Sequence, residues 1–237
     1  MIPKIIHYCW FGGKPLPKLA VKCKKSWKNF FPDYEIKEWN EKNYDVNALP
    51  YTKYCYDHQL WAYLSDYVRL DVVEREGGLY FDTDVEVIRY PDELLANYNA
   101  WFGWETSNFI NTGLGFAAEA HHSAVLAMMK MYEEKTIPEL EERFSQEHNL
   151  TGCPRMNTWA LIPAGLTQDG TMQVVNNAIV LPVDYLCPLD DITGEKNVTD
   201  RTISVHWFSK SPQGKWAWIR NRVTRPIHRI IQNLNLK

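Results

Sequence analysis

Ala62-Tyr-Leu-Ser-Asp-Tyr-Val-Arg69 and Gly77-Gly-Leu-Tyr-Phe-Asp-Thr-Asp-Val-Glu-Val87 are the two neighbouring stretches of sequence that decide the expected fold. Together they predict a helix, a tight turn and a strand that ends in two acids. The glycine pair can adopt the positive φ that closes a helix, and the apolar run after it is typical of a buried strand. Because side chains alternate along a strand, we expect Asp82 and Asp84 to point the same way.

The predicted helix carries two faces of different character. The first face is small and polar, and it consists of Ala62, Ser65, Asp66 and Arg69. The second face is apolar and suited to a core, and it consists of Leu60, Tyr63, Tyr67 and Leu70. The polar face therefore places an acid and an arginine shortly before the two acids of the strand.

The two acids indicate a metal site. Neighbouring carboxylates repel each other unless a cation lies between them, and oxygen ligands suit Mg²⁺ or Mn²⁺. An Asp-x-Asp triplet alone is weak, because it also occurs by chance in a solvated loop. The polar helix face, the glycine pair and the aromatic strand around Asp82 and Asp84 favour the functional interpretation.

The remaining sequence predicts alternating strands and helices. Strands are expected at Lys4–Trp10, Tyr34–Trp39, Trp101–Trp104, Phe109–Phe116, Val174–Val180 and Ile203–Trp207. Helices are expected at Leu19–Phe30, Trp61–Glu76, Pro91–Ala96, His121–Glu134 and Trp216–Leu234. The order of elements in the first half predicts a parallel α/β sheet with a ligand at the carboxyl ends of its strands. Without a repeat or a linker, residues 1–237 are expected to form a single domain.

These motifs in combination resemble a known family. Ala62-x-x-Ser65-Asp66-x-x-Arg69 with Gly77-Gly78-x-Tyr80-x-Asp82-x-Asp84 resembles the core of the glycosyltransferases with a short DXD motif. More narrowly it resembles glycosyltransferase family 32, the capsular-polysaccharide and mannosyltransferase-like group. The opening Ile2-Pro-Lys-Ile-Ile-His-Tyr-Cys-Trp-Phe-Gly-Gly13 is similar to that family's first strand. The resemblance implies a GT-A-like fold, in which helices flank a mixed, mostly parallel sheet.

The resemblance also implies roles for individual residues. Asp82 and Asp84 would bind the metal and act in catalysis with Arg69, which faces the diphosphate or its metal site. The donor-binding residues implied are Cys9, Trp10, Ser65, Asp66, Arg69, Tyr80 and Asn111. Among them, Trp10 stacks on the base, the Cys9 backbone reads the base edge, and Asn111 lies near the transferred sugar. The structural alternatives are a core tryptophan, a surface ion pair, a buried tyrosine and an ordinary turn.

His206 is the expected third metal ligand. It follows a short strand pattern, and Ser204-Val-His-Trp-Phe-Ser209 resembles the late histidine motif of the same enzymes. Relatives commonly end that motif in Ser-Trp, whereas here Pro212 follows Ser211. An imidazole ligand favours Mn²⁺ over Mg²⁺. The alternative is a histidine with structural hydrogen bonds at a strand end.

Composition limits the other possibilities. A net charge of −3 argues against a nucleic-acid partner. The five cysteines are scattered without metal spacing, and no apolar run or leader suggests export, so a cytoplasmic location is expected. Residues 215–237 form a basic, acid-free segment that predicts an amphipathic helix, either in peripheral contact with the inner face of an anionic membrane or packed on its own domain.

The function predicted by residues and resemblance together is metal-dependent sugar transfer. The donor would be a nucleotide-sugar, UDP-sugar first and GDP-mannose second, and the resemblance implies retention at the anomeric carbon. The acceptor would be a saccharide or a lipid-linked oligosaccharide in bacterial surface polysaccharide synthesis. Two alternatives remain open: a haloacid-dehalogenase-type phosphatase that uses the Asp-x-Asp loop, and a carbohydrate-binding protein without enzymatic activity.

Overall fold

The computed structural model describes residues 1–147 and 150–209. The strands in this part of the chain are β1 (Ile5–Cys9), β2 (Glu35–Trp39), β3 (Gly78–Tyr80), β4 (Val85–Val87), β5 (Ala100–Gly103), β6 (Phe116–Ala118), β7 (Gln173–Val175), β8 (Ala178–Leu181) and β9 (Ser204–His206). The α-helices are α1 (Lys18–Phe30), α2 (Pro50–Asp57), α3 (Trp61–Glu76), α4 (Asp92–Asn97), α5 (Ser123–Glu133), α6 (Ile137–Glu147), α7 (Cys153–Leu161) and α8 (Val183–Leu186). Short 3₁₀ helices lie at Thr112–Leu114 and Ile162–Ala164.

Seven strands form one mixed sheet in the order β2-β1-β3-β6-β5-β8-β7. Strands β1, β2, β3, β5 and β8 run in one direction, whereas β6 and β7 run in the other. Strands β4 and β9 pair separately as an antiparallel ribbon. The predicted α/β fold with a mixed, mostly parallel sheet flanked by helices is therefore confirmed.

The helices follow from the strand directions. Parallel neighbours need a crossover connection, which is usually helical: α1 connects β1 to β2, and α2 with α3 connects β2 to β3. The carboxyl ends of β1, β3, β5 and β8 consequently meet at one edge of the sheet. In α/β folds this edge is where ligands bind.

The predicted bounds of α3 are confirmed, and the two charged residues of its polar face are buried. Two residues of the polar face are buried together with the apolar one, since Asp66 is 7% exposed and Arg69 is 2% exposed, whereas Ala62 is exposed and Ser65 is half-buried. Leu64 and Val68, which are fully buried, anchor the helix in the core. A buried carboxylate and a buried guanidinium need oppositely charged or hydrogen-bonding partners. Asp66 and Arg69 therefore face polar groups inside the protein rather than solvent.

Three strand predictions were wrong in detail. The strand before the acids ends at Tyr80, and Asp82 to Asp84 lie in the turn that leads to β4, with Val85 N donating to Asp82 O at 3.0 Å. The two acids converge through this turn rather than through strand alternation. Residues 109–116 contain a bridge and a 3₁₀ helix before β6 begins. Residues 174–180 form a hairpin, since Asn176 and Asn177 adopt φ of 49° and 61°, the positive values that a tight hairpin turn needs.

No helix within residues 1–147 and 150–209 has both the length and the hydrophobicity needed to cross a membrane. The basic helix predicted for residues 215–237 lies outside the described residues, so it stays a prediction.

Candidate functional site

Two acids and a histidine converge beside the sheet edge. Candidate ligand atoms of Asp82, Asp84 and His206 all lie within 4.8 Å of one another. The two acids come from the β3–β4 turn, and His206 ends β9. Because β4 pairs with β9, Val85 lies opposite His206, which brings the histidine next to Asp84. The structure therefore brings together the three residues that the sequence predicted as metal ligands.

Asp84 is held on both of its carboxylate oxygens. His206 Nε2 lies 3.1 Å from Oδ1, and Ser209 donates to Oδ2 from its backbone N (2.7 Å) and its Oγ (2.9 Å). Burial would raise the pKa of Asp84, but the charge and hydrogen bond of His206 and the Ser209 donors lower it. Burial likewise opposes protonation of His206, yet the Asp84 carboxylate raises the pKa of this imidazole.

Tyr80 and Arg69 both bind the carboxylate of Asp82. Tyr80 Oη donates to Asp82 Oδ1 at 2.8 Å, and Arg69 Nη2 lies 3.2 Å from the same oxygen. The guanidinium also lies 5.1 Å from the centre of the Tyr80 ring. Burial raises the pKa of Asp82, as does the neighbouring Asp84 carboxylate, while Arg69 opposes the shift. These contacts make Arg69 a residue that positions Asp82, and its contact with a diphosphate stays a prediction.

The polar face of α3 forms the floor of the site. Arg69 Nη2 pairs with Asp66 Oδ1 at 3.0 Å, and the same guanidinium donates to the carbonyl and hydroxyl oxygens of Ser65. Cys153 N, in the first turn of α7, donates to Asp66 Oδ2 at 3.3 Å. Burial raises the pKa of Asp66 to about 6, even though Arg69 lowers it. The surface ion pair considered for Asp66 and Arg69 is therefore a buried one.

Asn111 lies between α7 and the end of β5. Its Oδ1 accepts from Gly113 N at 2.6 Å and from Cys153 Sγ at 3.0 Å. Its Nδ2 donates to Glu105 Oε2. The turn expected around Asn111 is present as the 3₁₀ helix Thr112–Leu114, which Asn111 caps.

The first strand delivers Cys9 and Trp10 to the same edge. Cys9 is buried, and burial raises the pKa of its thiol to about 12, although the nearby Arg69 lowers it. Trp10 is half-buried, and its indole N–H donates to Lys14 O. The donor-binding roles predicted for Cys9 and Trp10 stay predictions.

The described residues fit a divalent cation. Three carboxylates, those of Asp66, Asp82 and Asp84, contact the Arg69 guanidinium or the His206 imidazole. His206 Nδ1 is a buried nitrogen without a hydrogen-bond partner among the described residues. An excess of carboxylates, with an imidazole nitrogen still lacking a partner, is a donor set suited to a cation such as Mn²⁺ or Mg²⁺.

Sequence reasoning missed several residues of the site. Cys153 and Gly113 were not predicted, and neither was Glu105, although each touches a predicted residue. A Cβ on Gly113 would lie 2.6 Å from Asp82 Oδ2 and 2.9 Å from Arg69 Nη1. The Thr151-Gly-Cys-Pro154 segment was a partial signal for Cys153, because it approximates a Thr-Gly-Pro element of the family that the chain resembles.

Comparison with known proteins finds a family model similar to part of this chain. Residues 17–101 match the family model described as the glycosyltransferase sugar-binding region containing a DXD motif. The match contains α3, Arg69 and both acids of the β3–β4 turn. Residues 17–101 are thus similar to a glycosyltransferase region of the DXD type, and this similarity supports a glycosyltransferase.

Two curated proteins are similar over part of the chain. Inositol phosphoceramide mannosyltransferase 3 of Schizosaccharomyces pombe is 33% identical over 121 residues, covering 49% of this chain and 33% of the relative. Subversion of eukaryotic traffic protein A of Legionella pneumophila is 25% identical over 125 residues, covering 41% of this chain and 19% of the relative. The chain thus spans a third or less of the length of these curated relatives.

A solved structure has the same fold. The PaToxG glycosyltransferase superimposes with a TM-score of 0.51 at 16% identity, over 68% of each chain. At this identity the similarity concerns the fold alone. It agrees with the GT-A-like architecture predicted from the sequence.

Proposed function

We propose that this protein is a metal-dependent glycosyltransferase that moves a hexose from a nucleotide-sugar to a saccharide acceptor. The observation that carries the proposal is the convergence of Asp82, Asp84 and His206 within 4.8 Å, at the carboxyl edge of the sheet. Asp82 and Asp84 lie inside the matched DXD region, which favours a transferase over a phosphatase or a carbohydrate-binding protein without enzymatic activity.

Asp82, Asp84 and His206 are the residues that would hold the divalent ion, with Mn²⁺ favoured by the imidazole. When bound, such an ion neutralises the charge that develops on a leaving diphosphate. Arg69 and Tyr80 orient Asp82, and Ser209 orients Asp84. Preorganised ligands of this kind need little rearrangement during the reaction.

The donor is proposed from two considerations. The family resemblance favours a UDP-sugar and retention at the anomeric carbon. The similarity to a protein named as a mannosyltransferase gives GDP-mannose equal standing. A saccharide or lipid-linked oligosaccharide acceptor, a role in bacterial surface polysaccharide synthesis and a cytoplasmic location are further parts of the proposal.

The decisive experiment measures nucleotide binding and turnover together. Thermal unfolding is recorded with UDP or GDP, with and without MnCl₂, and donor consumption is followed with UDP-glucose and GDP-mannose. A ligand that binds the native state at 100 times its Kd raises stability by about 2.7 kcal/mol. We expect one nucleotide to raise the unfolding temperature more when Mn²⁺ is present than when it is absent, and EDTA to reverse the additional rise.

Variants of the three cluster residues test whether Mn²⁺ binds at this cluster. Asp82→Asn and Asp84→Asn should lose Mn²⁺-dependent nucleotide binding and turnover while retaining a cooperative unfolding transition. His206→Ala should weaken Mn²⁺ activation and leave metal-free nucleotide binding little changed. The partly exposed Asp71→Asn on α3 is a matched control outside the cluster. Normal Mn²⁺-dependent turnover by either aspartate variant contradicts the metal assignment.

A further inference from the structure

Glu105 is a carboxylate in the site to which neither the sequence nor the comparisons give a role. It lies two residues beyond β5, at the edge of the sheet where Asp82 follows β3. Strand β6 separates β3 from β5 in the sheet. With strands about 4.8 Å apart, the two acids follow strands that lie about 10 Å from each other.

The loop that carries Glu105 is well defined. Glu105 N donates to Phe109 O at 2.8 Å, and Trp104 pairs with Ile110 in an antiparallel bridge. Asn111 N donates to Gly103 O at 3.1 Å, which closes the base of the loop. Glu105 and Asn111 are thereby held side by side on adjacent strands of a short hairpin.

Asn111 determines how the Glu105 carboxylate points. Gly113 N and Cys153 Sγ both donate to Asn111 Oδ1, so the amide nitrogen of Asn111 faces Glu105 and donates to Oε2. Among the described residues, the Asn111 amide donates the hydrogen bond that Oε2 of Glu105 accepts. The other oxygen, Oε1, can therefore accept hydrogen bonds from a ligand. The side chain of Glu105 is partly exposed, so a ligand can reach it.

Glu105 also faces the metal cluster. Burial raises the pKa of Glu105, whereas the hydrogen bond from Asn111 and then the charge of the His206 imidazole lower it. Glu105 does not belong to the group of ligand atoms within 4.8 Å formed by Asp82, Asp84 and His206. Its place two residues beyond β5, at the sheet edge where Asp82 follows β3, puts it beside the cluster without making it a member.

We propose that Glu105 is a sugar-binding residue whose carboxylate accepts hydrogen bonds from hydroxyls of the transferred hexose, and that Asn111 is the residue that positions it. Carboxylates accept hydrogen bonds from two directions per oxygen, which suits the adjacent hydroxyls of a hexose. The inference rests on the proposed function. It moves the direct sugar contact from Asn111, whose amide atoms are already bonded, to Glu105.

The test compares sugar nucleotides with the free nucleoside diphosphates. Calorimetric Kd values are measured in MnCl₂ for UDP, GDP, UDP-glucose, UDP-galactose and GDP-mannose, on the wild type, Glu105→Gln and Glu105→Asp. Glutamine keeps the shape and can still accept from Asn111, whereas aspartate keeps the charge and shortens the reach. The exposed Glu93→Gln on α4 is the matched control.

For Glu105→Gln we expect the affinity for the preferred sugar nucleotide to fall at least about tenfold, which corresponds to loss of a hydrogen bond to a charged group. Affinity for the matching nucleoside diphosphate should stay within about twofold, which a general structural defect would not allow. A monodeoxy analogue of the preferred sugar should bind the wild type more weakly and bind Glu105→Gln with no further loss.

The two proposals fail in different ways. If the wild type binds none of the sugar nucleotides with Mn²⁺, the proposed function fails and the inference with it. If the wild type binds one, and both Glu105 variants keep the same ratio of sugar-nucleotide to nucleotide affinity, only the role of Glu105 is overturned. Equal loss for nucleotide and sugar nucleotide likewise overturns it and assigns Glu105 a structural role.

Discussion

At the scale of single residues, the site depends on close approach between groups that are distant in the sequence. Gly113 is an example. A Cβ at this position would lie within 3 Å of side-chain atoms of Asp82, Arg69 and Asn111, so a residue larger than glycine does not fit there. Arg69 in turn holds Asp66 and Asp82 with one guanidinium group. Buried charged groups of this kind are costly unless every partner is present, so small changes here should have large effects.

Gly113→Ala should impair the site more than the fold. The added Cβ would lie 2.6 Å from Asp82 Oδ2 and 2.9 Å from Asn111 Oδ1, so the Asp82 carboxylate must move. We expect Mn²⁺ activation to weaken at least about tenfold and stability to fall by about 1–3 kcal/mol. Gly152→Ala is the control, since its Cβ would meet Pro154 Cδ at an ordinary 3.6 Å. An unchanged Mn²⁺ titration in Gly113→Ala would contradict the prediction.

His7 should make stability depend on pH. This fully buried histidine accepts from Trp39 Nε1 at Nδ1 (3.0 Å), so its Nε2 donates to Gly77 O (2.8 Å). Burial lowers the pKa of His7 below its usual 6.5, because the folded state favours the neutral ring. The neutral His7 ring therefore contributes its full stabilisation above about pH 6.5. This stabilisation is lost as the pH falls, because the unfolded chain binds the proton at a higher pH than the folded protein does.

The slope from one such proton is at most about 1.4 kcal/mol per pH unit. Urea unfolding at pH 7.5 and pH 5.5 should therefore show a larger loss of stability for the wild type than for His7→Gln. Equal pH dependence in the two proteins would show that other groups account for the acid sensitivity.

At the scale of secondary structure, the connection from α3 to β3 orients the whole site. Gly77 caps α3 with φ of 65°, and the chain turns directly into β3 beneath the two acids. The sequence predicted this helix end from the glycine pair. What it could not predict is how tightly Gly77 lies against the rest of the protein.

Gly77→Ala should destabilise the protein more than Gly13→Ala. Both glycines have φ of 65°, which strains any other residue, and Gly77 combines it with ψ of −175°, a region essentially restricted to glycine that costs about 1–3 kcal/mol. A Cβ at Gly77 would also lie 2.7 Å from Pro3 Cδ and 2.8 Å from the Ala120 backbone N, whereas at Gly13 it would meet nothing within 4 Å. We expect an additional loss of about 1–3 kcal/mol in urea unfolding. Equal losses of stability in the two variants would show that Pro3 and the Ala120 backbone can move away from the added Cβ at little cost.

At the scale of the whole molecule, the charge distribution suggests where the enzyme works. No acid follows Arg201, and tryptophans and isoleucines are interleaved with arginines in residues 215–237. Each basic side chain near an anionic membrane contributes about 1 kcal/mol of binding. Changing Arg220, Arg222, Arg225 and Arg229 together to glutamine should therefore abolish flotation with vesicles rich in phosphatidylserine.

Neutral phosphatidylcholine vesicles are the control for this membrane prediction, and neither protein should float with them. If the substituted protein floats with anionic vesicles as well as the wild type does, the segment does not bind the membrane through its charge. Turnover measured without vesicles should be the same for both proteins.

The sequence by itself determined the features that depend on near neighbours. The bounds of α3, the glycine turn after it and the two acids followed from spacing and from backbone preferences that act over a few residues. It also predicted His206, but only through resemblance to a known motif. Local patterns failed where a tight turn broke a β-rich run, as at Asn176 and Asn177.

Only the tertiary structure decided how the site is assembled. Cys153 meets Asp66 across 87 residues of sequence and Asn111 across 42, and no local pattern specifies such contacts. Burial also changed the meaning of predicted residues, because Arg69 holds Asp82 and Asp66 instead of forming a surface pair. The hydrogen bond from Asn111 to Glu105 depends on the β5 hairpin and on α7 together, so the chain had to fold before this acid became part of the site.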